Sequence, residues 1–360
     1  MNNISKRLNI MIKNIRQELT KLSNNDFPFA KNLEDSSWTL THGKNWTEGF
    51  WIGMIWDAYE LTGDDYFLKR ATKYEKSIKN RCQDASTHDI GFLFSLSALK
   101  GIQVLKNKKI DSELYDYFYN DLECAVRTLI SSYEREVGLI PAWKYQGKNV
   151  FLIDTFMNLE VLLWYSKESK NSKLLSFVKE IGMKIDKIFI KKNGSVIPAF
   201  IEIAPGKFKE WRNQGYKPGS SWSRGIGWAL CGNENFYRET GDLYFRKVFY
   251  EILNYYKNAV GFHDIPKYDI DDPRKKVPKD ASAAAIILFS LSSFYELTND
   301  KFMLKEAKKL LKTIFLQAMD EKSRLVHCCY HYPQRYFIDS ETIWGDYYLM
   351  ESLKKLNGIN

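Results

Sequence analysis

Apolar residues recur along this chain in two kinds of helical pattern that alternate. Segments such as Tyr66 to Arg81 and Lys301 to Met319 carry one apolar stripe and many lysines, the pattern of a helix with one face in solvent. Between them lie segments that are apolar or small nearly all round: Trp46 to Leu61, Asp89 to Leu105, Asp154 to Ser166, Trp222 to Thr240, Asp280 to Thr298 and Ser340 to Leu356. A helix apolar on every side is buried on every side. The alternation predicts six inner helices, each of the first five followed by an outer one. The N-terminal stretch, Ile4 to Leu22, supplies the outer partner that the last inner helix lacks.

The joints between these segments repeat. Tyr59-Glu-Leu-Thr62-Gly63-Asp64 is echoed by Tyr237-Arg-Glu-Thr240-Gly241-Asp242 and by Tyr295-Glu-Leu-Thr298-Asn299-Asp300, and each is followed by an aromatic: Tyr66, Tyr244 or Phe302. Gly or Asn permits the left-handed residue that ends a helix, and the Asp behind it caps the next. Each joint therefore marks an αα-hairpin. The step from Tyr237 to Tyr295 is about 58 residues, and the step from Tyr59 to Tyr237 is about three times that. Tyr165 to Lys170 and the end of the Leu99 to Asp111 segment fill the intermediate places. The reading is all-α: an (α/α)6 barrel of six αα-hairpins, residues 1–360 forming a single catalytic domain. Strand signals are few, notably Ser195 to Ile203 and Leu325 to Tyr330. The longest expected loop is Asn193 to Ser221, with Gly206, Gly215, Pro218 and Gly219.

Composition changes this picture little. The five cysteines form no CxxC pair, are odd in number and include the neighbours Cys328 and Cys329, so a reducing, cytoplasmic compartment is expected. The first residues lack the apolar run of a signal peptide, and no stretch approaches about 18 uninterrupted apolar residues, so no membrane partner is expected. The net charge of +9 comes from lysines spread along the chain, without a basic arm or a nucleic-acid motif, so no nucleic acid is expected either. The 15% aromatic content is more telling, because aromatic faces stack on sugar rings as well as filling a core.

Helix starts at one end of a barrel face a common mouth, which directs attention to Asp89 and Asp154. An Asp in such a place is ordinarily a cap that stabilises its helix by about 1 kcal/mol, and Asp89 and Asp280 both fit that role. Two such carboxylates facing each other would shift each other's pKa and permit proton transfer. Trp46, Trp222 and Trp228 lie near helix starts as well. Arg224 between the last two is costly as an unpaired core residue, and a substrate carboxylate would pair with it. The five histidines (His42, His88, His263, His327, His331) are scattered, so no metal site is indicated. Phosphate loops, Rossmann fingerprints and serine nucleophile elbows are absent.

Several segments taken in order resemble the unsaturated glucuronyl hydrolases, glycoside hydrolase family 88. They are Asn45-Trp46-Thr47-Glu48-Gly49, His88-Asp89-Ile90-Gly91-Phe92, Ile153-Asp154-Thr155-Phe156-Met157-Asn158, Gln214-Gly215-Tyr216, Ser221-Trp222-Ser223-Arg224-Gly225, Asp280-Ala281-Ser282 and Ile343-Trp344-Gly345-Asp346. The resemblance spans most of the chain. It implies an (α/α)6 barrel, no cofactor, and release of a 4,5-unsaturated glucuronic acid from the non-reducing end of lyase-made glycosaminoglycan oligosaccharides. By the same resemblance Asp154 is the proton-transferring residue and Asp89 its partner, while Trp46, His88, Gln214, Trp222, Arg224, Trp228 and Tyr330 contact substrate. The protein is expected to act as a monomer or weak homo-oligomer.

The chain also departs from the family. Relatives commonly carry a histidine in the loop after Gly194-Ser195, where Pro198, Ala199 and Phe200 stand here. Arg224-Gly225-Ile226-Gly227-Trp228 drops an amide between Arg and Trp, and His327 to Pro333 replaces the Ser-x-x-Ser-x-Lys motif of members adapted to 6-sulfated chondroitin. Two rival readings share the barrel: an unsaturated rhamnogalacturonyl hydrolase acting on pectin fragments, and a non-catalytic sugar-binding barrel.

Overall fold

A computed structural model describes residues 2–35, 37–110 and 113–357. Its helices follow the alternating pattern. Helix α1 (Asn2–Lys21) is outer, α2 (Glu48–Thr62) inner and α3 (Asp65–Ile78) outer. The second inner segment is α4 (Ile90–Phe94), a π-helical turn at Ser95–Leu99 and α5 (Lys100–Asn107), and its outer partner is α6 (Leu114–Ser131). The third is α7 (Thr155–Asn158) with α8 (Glu160–Glu168), backed by α9 (Ser172–Phe189). Then come α10 (Ser223–Thr240) with α11 (Leu243–Ala259), α12 (Ala281–Thr298) with α13 (Lys301–Gln317), and α14 (Ile343–Asn357). Inner neighbours pack in sequence order, α14 closes against α2, and α1 packs on both. This is the (α/α)6 barrel.

The joints behave as their residues require. Gly63, Gly241 and Asn299 are left-handed, at φ 69°, 68° and 54°, and each N–H donates to the carbonyl of the tyrosine four residues earlier. The aspartate that follows then caps the outer helix: Asp64 accepts from Tyr66 N (2.8 Å), Asp242 from Tyr244 N (2.9 Å) and Asp300 from Phe302 N (2.9 Å). In the degenerate joint after α8, Lys170 takes the left-handed place and Asn171 caps α9. Asp111, expected at the joint before α6, lies outside the described residues.

Helix α12 is long and apolar enough to cross a membrane by composition, but it is largely buried between α10, α13 and α14. Its character is that of an inner helix.

Three expectations are corrected. The inner segment from Asp89 to Leu105 is not one regular helix: Ser97 Oγ takes the Leu93 carbonyl at 2.5 Å and the ladder slips into the π turn. More strands form than the pattern signalled. One sheet orders β2 (Thr39–Thr41), β1 (Phe27–Asn32) and β7 (Ser340–Thr342); the other runs β3 (Trp143–Tyr145), β4 (Lys148–Leu152), β5 (Ala199–Ala204) and β6 (Lys207–Glu210), antiparallel throughout. The ladder is irregular between Pro28 and Ala30, where the proline has no N–H to donate. The expected loop from Asn193 to Ser221 is thus partly a hairpin, whereas Leu325 to Tyr330 makes only isolated bridges. Finally, Cys82 and Cys124, which sequence spacing left unpaired, form a disulfide between the 3-10 turn Lys79–Gln83 and α6, with Cα atoms 5.5 Å apart. Cys231, Cys328 and Cys329 are free and buried.

Both sheets serve the same end of the barrel. Strand β4 leads into the start of α7, and β7 runs directly into α14. The short strands therefore wall the mouth at which the inner helices begin.

Candidate active site

Asp89 and Asp154 stand at the N-cap positions of α4 and α7, yet neither side chain caps its helix. Both residues have right-handed helical backbone angles, φ −63° and −70°, whereas the capping Asp64, Asp242, Asp280 and Asp300 are extended. A cap needs the extended geometry to turn its oxygen back onto the second or third N–H. Asp89 instead accepts from Thr87 Oγ1 at 3.0 Å, and one oxygen of Asp154, Oδ1, is buried with no hydrogen-bond partner.

His88 bridges the pair. Its Nε2 lies 3.4 Å from Asp89 Oδ1 and 3.5 Å from Asp154 Oδ1, and its Nδ1 is 3.1 Å from Thr155 Oγ1. The shorter bond of Thr155, 2.8 Å to the Leu152 carbonyl, takes its single hydroxyl proton. That leaves the Thr155 oxygen to accept from His88 Nδ1–H, and the hydrogen-bond pattern assigns a bare Nε2 facing both carboxylates. Burial pushes the His88 pKa down, more strongly than Asp89 pushes it up. A neutral imidazole lone pair between two carboxyl groups favours a proton on one of them. The Asp154 pKa is raised well above the usual carboxylate range, first by burial and then by the charge of Asp89, against a smaller lowering by its own backbone and by Arg224.

Arg224 is placed differently from expectation. Its Nη1 donates to Asp280 Oδ2 (2.7 Å) and the Cys329 carbonyl (2.8 Å), and its Nη2 donates to the Tyr330 carbonyl (2.7 Å). The guanidinium lies between the rings of Trp222 (4.6 Å) and Trp344 (5.5 Å). Arg224 is not an unpaired core charge: Asp280, which also caps α12, forms an ion pair with it from within the fold. Its positive charge still reaches Asp154.

The aromatic residues divide. Trp46 is partly exposed and packs against Phe50, Phe92 and Trp344, with the Tyr330 hydroxyl in hydrogen-bonding reach of its indole. Tyr330 adds contacts to Phe29, Tyr336 and Trp344. Trp222 is buried with an unpaired Nε1. Trp228, 1% exposed, packs on Phe92 and Tyr348 as floor rather than wall. Gln214 is partly exposed in the segment before α10, and its amide makes no hydrogen bond among the described residues. That segment is pinned by buried Asp269, which accepts from Tyr216 N and Ser220 Oγ, both at 2.7 Å.

The structure thus gathers Asp89, His88 and Asp154 into one cluster, with Arg224 in electrostatic reach of Asp154 and Trp46, Tyr330 and Trp222 in the aromatic wall beside it. It leaves Trp228 below. Sequence reasoning missed Thr87, Thr155 and Asn158, although each sits within four residues of an aspartate, and it missed Trp344. Where relatives carry a histidine, the Pro198 carbonyl accepts from Ile153 N (3.1 Å), and Ala199 and Phe200 are buried. This segment supports the Asp154 backbone and offers no polar side chain. No group of three or more His, Cys, Asp or Glu able to hold a metal occurs among the described residues.

Fold and site together define an (α/α)6 barrel with two uncapped carboxylates, Asp89 and Asp154, at its mouth. The model of Glycosyl Hydrolase Family 88 matches residues 18–358, and the chain belongs to that family. It is similar to an unsaturated glucuronyl hydrolase of Formosa agariphila, 28% identical over 92% of this chain and 84% of that one. An unsaturated chondroitin disaccharide hydrolase of Streptococcus pneumoniae is 26% identical over 91% of this chain and 85% of its own. A crystal structure of an unsaturated glucuronyl hydrolase specific for heparin superposes with a TM-score of 0.89 at 25% identity, covering 99% of this chain and 97% of that one.

Proposed function

We propose that this single-domain glycoside hydrolase releases a 4,5-unsaturated glucuronic acid from the non-reducing end of lyase-made glycosaminoglycan oligosaccharides. One observation carries the reading: Asp154 is partly buried and uncapped, its Oδ1 is buried without a hydrogen-bond partner, and its pKa is raised beside Asp89 and a neutral His88. That is a carboxyl group that holds its proton more tightly than an ordinary carboxylic acid, as proton donation to carbon requires. Family membership and the names of the relatives supply the substrate class.

In the proposed reaction Asp154 gives its proton to C4 of the ring double bond, and positive charge develops at C5 and the ring oxygen. The resulting carboxylate removes a proton from water as its oxygen bonds to C5. The hemiketal formed opens and expels the remaining sugar. The anomeric carbon is not attacked, so the carboxylate spacing that separates retaining from inverting glycosidases does not apply. Asp89 holds ring hydroxyls and keeps Asp154 protonated, while Trp46 and Tyr330 offer ring faces.

The test is loss of double-bond absorbance on unsaturated hyaluronan, chondroitin, heparin and rhamnogalacturonan disaccharides. Turnover is expected on the glycosaminoglycan substrates and lost in Asp154→Asn with binding retained. Turnover confined to rhamnogalacturonan shifts the reading to pectin fragments, and none on any substrate leaves a sugar-binding barrel. A monomer or weak homo-oligomer is proposed on the enclosed site within one chain. A cytoplasmic location now rests on the three free thiols alone, and the Cys82–Cys124 bridge argues the other way. Titrating thiols in protein taken directly from cells, five against three, decides between them.

A further inference from the structure

The helix that begins at Asp89 is capped by a residue from another helix. The N–H of Phe92, third in α4, points to no acceptor on its own element. It donates instead to Asn158 Oδ1 at 2.7 Å, across 66 residues of chain. The other arm of the same amide, Nδ2, donates to the main-chain carbonyl of Asp154 at 3.2 Å. Asn158 is fully buried, and its bond to Phe92 is made without competition from water. The helix starts also touch. A Cβ on Gly91 would fall 2.2 Å from the Asn158 carbonyl oxygen and 2.5 Å from its Cα, backbone atoms with no easy escape.

We infer that Asn158 is a positioning residue for the carboxylate pair. By capping the Asp89 helix from its neighbour it releases the Asp89 side chain into the mouth, and through the Asp154 carbonyl it ties the two helix starts in register. Gly91 is the contact that permits their approach. The inference rests on the acid/base roles proposed above. A buried asparagine that merely packs would need two partners of any kind. This one takes the N–H that Asp89 would otherwise cap and a carbonyl of Asp154 itself.

Removing the amide has a directional consequence. In Asn158→Ala the Phe92 N–H is left without an acceptor in the interior, and the Asp89 carboxylate, three residues earlier at the N-cap, becomes that acceptor once the Asp89 backbone shifts toward the extended geometry a cap needs. Asp89 then turns away from Asp154. The groups that face Asp154 are Asp89 and His88 from the start of α4 and Arg224 from α10, with Tyr330 facing Asp89. His88 is neutral and Arg224 is held by Asp280, so Asp89 is the charge whose movement Asp154 feels. Losing a nearby negative charge makes Asp154 ionise at lower pH. A step that needs its protonated form then fails at lower pH.

The experiment compares pH profiles of kcat/KM for wild type, Asn158→Ala, Asp89→Asn and the double variant, with melting temperatures, on the unsaturated disaccharide that wild type turns over fastest. The expected result for Asn158→Ala is a kcat loss of about tenfold or more with KM less affected, and an alkaline limb displaced to lower pH by about half a unit or more. In the Asp89→Asn background the same change adds less than about twofold, because it acts through Asp89. Equal losses in both backgrounds with an unmoved limb would overturn the inference and reduce Asn158 to packing. If Asn158→Ala does not fold, Asn158→Asp serves, since its neutral form reproduces both hydrogen bonds: most activity is retained at low pH, and a loss throughout the profile overturns the inference. Turnover surviving in Asp154→Asn instead refutes the underlying acid/base reading, so the two failures are distinguishable.

Discussion

The two ends of this barrel treat their carboxylates differently, with Asp280, a cap at the mouth, on the structural side. At the joint end, Asp64, Asp242 and Asp300 cap their helices, and deeper in that end Lys100 bonds Asp57 (2.6 Å) and Glu351 (2.5 Å) while Lys354 bonds both again. At the mouth, Asp89 and Asp154 occupy the same helix positions and cap nothing, with a neutral histidine where the other end has two ammonium groups. Saturated carboxylates stabilise the fold; unsaturated ones remain available for proton transfer. The same residue type at the same place on a helix therefore carries structure or chemistry according to what its neighbours leave unmet.

The comparison breaks first at Asp154. Asp154→Asn is expected to lower turnover by about 10²–10⁴-fold and to leave the melting temperature unchanged or higher, because it removes a poorly solvated acid. Loss of stability in step with activity would place Asp154 among the structural aspartates. At the opposite end, Lys100→Met leaves Asp57 and Glu351 undercompensated and is expected to cost about 3–5 kcal/mol in urea unfolding, with turnover per folded molecule unchanged.

The pH dependence sharpens the contrast. The Asp154 pKa is raised in the native state above its ordinary 3.8, so the folded protein holds the proton more tightly than the unfolded chain. Its contribution to stability therefore declines as pH rises from about 4 to the raised native value. The difference in unfolding free energy between wild type and Asp154→Asn should follow that slope across the window, and a flat difference would mean the acid is not perturbed. Asp57, pushed up to about 7 by burial and by Glu351, adds a decline in the same direction that the variant keeps. The smallest effect belongs to a joint: Asp242→Ala should cost about 1 kcal/mol in thermal or urea unfolding and leave turnover unchanged.

Much of the architecture was legible because helical periodicity and capping are local. Tyr237 to Asp242 announces its own turn: a left-handed glycine and a capping aspartate require no information from elsewhere in the chain. The strands were harder. Strand β4 is a strand because β3 and β5 lie beside it, whereas β5 alone of that sheet was signalled in advance, by Ser195 to Ile203. The same difference separates Asp280 from Asp89, two aspartates that both read as caps.

By itself the sequence determined the hairpin repeat, the inner and outer helices and the aspartates that stand at helix starts, since each depends on residues within a few turns of one another. It also carried enough ordered segments to mark the family. Tertiary structure alone decided which aspartates cap and which face the mouth, that Asp280 pairs with Arg224, that Trp228 lies below the wall, and that Asn158 caps a helix it does not belong to. Those outcomes depend on hydrogen bonds and charges brought together across tens to hundreds of residues, where a partner's identity is visible only after the barrel has closed.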